Sequence, residues 1–162
     1  MRDNRYKAVH RGGPLDLARH RQLAVWAADC AEHVLGLFEV NCPHDDRPRR
    51  AIETARAWVA GTVSVGAART AAFAAHAAAR ATAGAAQDAA RAAGHAVATA
   101  HMADHAPGPA LYAVRAVRAA AGAEAAEEER AWQLQRLPTA IKPLVVSTLK
   151  TRKFADWAGD AG

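Results

Sequence analysis

The sequence has two cysteines, Cys30 and Cys42, and so cannot be a disulfide scaffold. Neither lies in a motif that identifies a cysteine nucleophile. Aromatic residues make up 6% of the chain and are scattered, as are β-branched residues. A sheet protein would need runs of both. Although 51% of residues are hydrophobic, no stretch approaches the roughly 18 consecutive apolar residues of a membrane span. The first residues, MRDNRYKAVHRGG, are charged, and no hydrophobic segment of signal-peptide type follows them. A cytoplasmic location is expected. Glycine-rich phosphate loops are missing, as are zinc-finger, helix-turn-helix and RNA-binding signatures.

What the sequence has in excess is alanine. Alanine loses no rotamer freedom on ordering and has the highest helix propensity. The expectation is an all-α fold, a single bundle of about six or seven helices with an alanine-rich central pair. The helices are expected near 18–39, 47–60, 65–82, 86–104, 110–121, 123–137 and 139–152. Residues 1–17 read as a flexible arm, 18–152 as one helical domain and 153–162 as a tail. Asp45 or Asp46 is placed to cap the second helix, with Pro48 in its first turn, and Ser64 to cap the third.

The formal charge is +5 and the pI about 9.8. The densest basic cluster, Arg47, Arg49 and Arg50, sits against Asp45 and Asp46. Nucleic-acid binding is therefore not expected, and arginine reads as the solvating residue of an alanine-rich chain. The alanine faces are too weakly hydrophobic for a membrane-surface helix.

The polar residues among the alanines are the candidates for a site. Asp29 and His33 are four apart on one helix, a spacing that lets a carboxylate orient an imidazole. Arg69, Phe73, His76 and Arg80 form a stripe at steps of four, three and four. His95, Thr99, His101 and His105 follow on the next segment, with His101 and His105 on one face if the helix runs that far. Together Asp29, His33, His76, Arg80, His95, Thr99, His101 and His105 outline a candidate pocket between helices. His76, His101 and His105 are the candidates for a divalent metal such as zinc, although residues 101–105 read HMADH and not His-Glu-x-x-His. The competing reading is that these histidines pack at a helix interface, and no cofactor is assigned.

Four segments carry a family resemblance: WAADCAEHVLGLFE (26–39), DDRPRRAIETARAW (45–58), VGAARTAAFAAHAAAR (65–80) and AARAAGHAVATAHMADHA (89–106). They resemble small all-helical actinobacterial and other bacterial proteins described as putative immunity proteins, associated with polymorphic-toxin systems. The resemblance implies neutralisation of a toxin by direct binding, with no catalytic residue carried over. Binding would draw on arginine anchors, and Arg47, Arg49, Arg56, Arg69 and Arg80 are the first candidates. The alternative is a small ligand-binding protein or metal-dependent enzyme using the histidine pocket. A homodimer through the alanine faces is a third reading.

Overall fold

The computed structural model describes residues 2–159. Met1 of the expected arm and residues 160–162 of the expected tail lie outside it. The first three helices start where local chemistry provides a start. Asp16 accepts a hydrogen bond from the Arg19 amide at 2.8 Å and opens α1, Leu17–Glu39. Pro48 lies in the first turn of α2, Arg47–Val59, where its missing N–H costs nothing. Asp46 holds the cap position of α2 but makes no side-chain capping bond. Asp45 instead accepts from the Arg47 amide and guanidinium. Ser64 caps α3, Val65–Arg80, by accepting from the Ala67 amide at 3.1 Å.

The fourth helix, α4, is Gly84–Ala98 and ends well short of residue 104. The amides of Ala100 and His101 bond the carbonyls three residues back, and Met102 is extended. This tightening turns the chain away from the helix axis. After a 3-10 turn at Ala103–His105, α5 runs over Pro107–Ala121. Gly122, at φ +91°, separates α5 from α6, Ala123–Arg136. The last expected helix shortens to α7, Lys142–Leu149, followed by a 3-10 turn at Arg152–Phe154 and the one-turn α8, Ala155–Ala158. The described residues thus hold eight α-helices and no strand, against the six or seven helices expected.

The centre of the bundle is α4, which packs against α1, α2, α3 and α5. Ala89, Ala90, Ala92, Ala93, Ala96 and Val97 are all fully buried. Only small side chains let four neighbours approach one helix at interior packing density. The alanine face of α3 is buried too, through Ala68, Ala75 and Ala79. Its other face is open to solvent, so the expected central pair is one central helix with a flanking one. Larger residues, among them Trp26, Phe38, Ile141 and Leu149, fill the rest of the core.

The N-terminal segment is laid against α7. Tyr6 and Leu15 are buried, and the Tyr6 hydroxyl meets Thr148 Oγ1 at 2.8 Å. Burial pushes the Tyr6 pKa up to about 12. A single parallel bridge between Ala8 and Leu15 holds the segment's turn. At the other end, Phe154 and Trp157 are buried against the bundle. No helix of the described residues is long and apolar enough to cross a membrane.

Candidate functional site

The structure distributes the candidate residues over three places. The first is a pile of rings between α3, α4 and the start of α5. His76 meets His95 edge-on at 5.0 Å between centroids, and His95 lies 5.3 Å from His105 and stacks on Tyr112 at 5.2 Å. The Nδ1 atoms of His95 and His105 are 3.1 Å apart, a contact that requires a proton on only one of them. Two glycines make the room. A Cβ on Gly94 would lie 2.7 Å from the His76 ring, and one on Gly108 would lie 3.0 Å from His95. Burial, with the neighbouring His76 and His105, pushes the His95 pKa down to about 3. His76 and His105 are also pushed down, chiefly by burial. These rings are therefore packed in the neutral form. Arg80 stands exposed beside His76 and lowers its pKa further.

The expected facing of His101 and His105 fails, because α4 ends at Ala98 and the two lie on different turns. Among the described residues, no three His, Cys, Asp or Glu side chains converge as a metal site requires. The proposed set His76, His101 and His105 is accordingly not assembled. Thr99 is buried, but its hydroxyl is spent on the His95 carbonyl at 3.1 Å.

The second place lies between α1, α2 and α6. The expected Asp29–His33 pair is not formed. Arg56, reaching across from α2, takes Asp29 at 2.9 Å and also Glu32. His33 turns instead to α6, stacking on Trp132 at 3.7 Å and donating from Nδ1 to Glu129 Oε2 at 2.6 Å. Glu129 is buried, and its other oxygen accepts from Gln133 Nε2 at 3.1 Å. Gln133 is buried as well. It donates to the Ala110 carbonyl and accepts from Trp157 Nε1, while its own carbonyl accepts from Trp26. This chain of bonds fastens α1, α5, α6 and α8 to one another. Cys30 is fully buried nearby, and burial raises its thiol pKa well above the ordinary value. It is no nucleophile in that state.

The third place is a cavity of about 230 Å³. One wall is the segment from Arg2 to Arg11, and the other holds His20 of α1 and residues His101 to Asp104. His20 is buried and fixed, donating from Nε2 to the Thr99 carbonyl at 2.6 Å with Trp58 packed against its ring at 4.7 Å. Its pKa is pushed down by burial, against the opposing effect of that bond. The His101 pKa is pushed down by burial and then by Arg69, Arg11 and Arg2. Arg69 on α3 does not line the cavity.

The arginine candidates divide cleanly. Arg47 is paired with Asp45, Arg49 with Glu39 and Arg56 with Asp29 and Glu32. Each is a bidentate or branched pair that a partner would have to compete for. Arg69 and Arg80 have no ion pair among the described residues. Arg69 shares the open face of α3 with Val65 and with Phe73, whose ring is 69% exposed.

Several of these residues escaped the sequence reading. His20 continues the buried stripe of α1 three residues before Leu23, so its spacing was a usable signal. Glu129, Gln133 and Tyr112 carried none, because only contacts between distant helices single them out. Lys7, His10 and Arg11 belong to the segment expected as an arm.

No curated protein and no solved structure matches the chain. Residues 13–140 match the family described as "Imm-5 like putative immunity protein". The matched span takes in α1 to α6, and with them the histidine pile and the open face of α3. Covering well over half the sequence, that match makes the chain a member of the Imm-5 like family.

Proposed function

We propose that this protein neutralises a bacterial toxin by binding it, and that the open face of α3 is the contact. The observation that carries the reading is the exposed Phe73 ring one turn from Arg69, an arginine with no acidic partner among the described residues. Aromatic side chains, phenylalanine included, and arginine are enriched at protein interfaces. A solvated phenylalanine gains by burial roughly 1.5–3 kcal/mol. Arg69 and Arg80 carry their charge free of internal partners, which favours a partner with an acidic, partly apolar surface. Family membership supports the immunity role in general terms.

The test is co-expression with secreted-toxin domains, including any encoded beside the gene, scored by growth rescue and by co-purification. Phe73→Ser with Arg69→Glu should abolish both at unchanged soluble level, while Arg47→Ala should leave both intact. Undiminished rescue by the α3 double variant would sink the assignment of the face. No rescue from any toxin of the panel would count against the immunity role.

A further inference from the structure

We propose that the cavity between the N-terminal segment and the connection from α4 to α5 binds a small phosphate ester. Its residues Arg2 to Arg11 precede the span matched by the family, so the site is not implied by membership. The volume of about 230 Å³ equals roughly eight water molecules at ~30 Å³ each. That is room for a phosphorylated sugar.

The charges around the cavity do not cancel. Asp3 is taken by Arg5, whose guanidinium reaches both carboxylate oxygens, at 2.6 Å for the shorter contact. Asp104 is only loosely met by Arg2, at 3.9 Å. Lys7 and Arg11 are in no ion pair among the described residues, and His10 and His101 line the same cavity. Donors from two separate segments suit an anion with three acceptor oxygens, since each charge-assisted bond takes its own oxygen. A second feature asks for more than an anion. Inorganic phosphate alone would leave much of the cavity unfilled. An ester whose phosphate meets Lys7 and Arg11 and whose organic part fills the remaining volume meets both demands. The proposal stands apart from toxin binding, because it uses neither Phe73 nor the partner.

The test is histidine side-chain NMR with ribose 5-phosphate as probe, and inorganic phosphate and ribose as comparisons. Saturable shifts of the His20 and His101 resonances are expected, with His44, which does not line the cavity, unmoved. Lys7→Glu with Arg11→Glu should weaken binding at least about tenfold, as loss of one charge-assisted bond already implies. Both positions are exposed, and an unchanged melting curve verifies the fold. No saturable shift up to about 10 mM probe, well above a millimolar Kd, would overturn the proposal. So would an equal response in the Lys7/Arg11 variant. Inorganic phosphate bound as tightly as the ester would overturn the assignment of an ester.

Discussion

Acidification from pH 7 to pH 5 should remove about 2 kcal/mol of folding stability through His95 alone. The folded protein holds this imidazole neutral down to about pH 3, whereas its ordinary value is 6.5. Between those values the unfolded chain binds the proton and the folded chain does not. The stabilisation is therefore complete above pH 6.5 and is lost progressively as pH falls toward 3. Each pH step below 6.5 costs about 1.4 kcal/mol, and the step and a half to pH 5 gives the figure above. His76 and His105 are pushed the same way and add to the slope. The assay is urea unfolding at both pH values, followed by tryptophan fluorescence, for the native sequence and for His95→Gln. Carboxylates contribute equally to both proteins and cancel in the difference. The variant should lose less stability on acidification by about 1–2 kcal/mol, the upper end applying if its neighbours stay neutral. Identical losses in the two proteins would refute the view that the pile is packed neutral.

Two further substitutions probe the packing. Gly94→Ala improves helix propensity by about 1 kcal/mol, but its Cβ would meet the His76 ring at 2.7 Å. Overpacking should prevail, and a net loss of about 1–2 kcal/mol is expected. A raised melting temperature would show that His76 is free to move aside. Gln133→Leu keeps the volume but strips the partners of Trp157 Nε1, the Ala110 carbonyl and Glu129. Unpaired buried groups make the expected loss about 2–4 kcal/mol in urea unfolding. A loss under about 0.5 kcal/mol would mean that water replaces the amide.

The helices were legible because their signals are local. The Ser64 cap, Pro48 in a first turn and the alanine runs each act within a few residues. Errors arose where a distant side chain decided the outcome. Asp29 and His33 have the right spacing to pair, yet Arg56 and Glu129 offered each a stronger partner from another helix. The arginines looked equivalent in sequence, but Arg47, Arg49 and Arg56 are occupied and Arg69 is not. The histidines stand out in the sequence, and in the structure His76, His95 and His105 pack against one another between helices.

Alanine content and helix punctuation determined by themselves that this chain is all-helical, since propensity and capping are properties of neighbouring residues. The tertiary structure alone decided that α4 lies at the centre, that His105 and not His101 meets His95, and that Arg2 to Arg11 close a cavity over His20 and Asp104. Each of these depends on which helices approach one another, and alanine faces, all alike, carry no code for that choice.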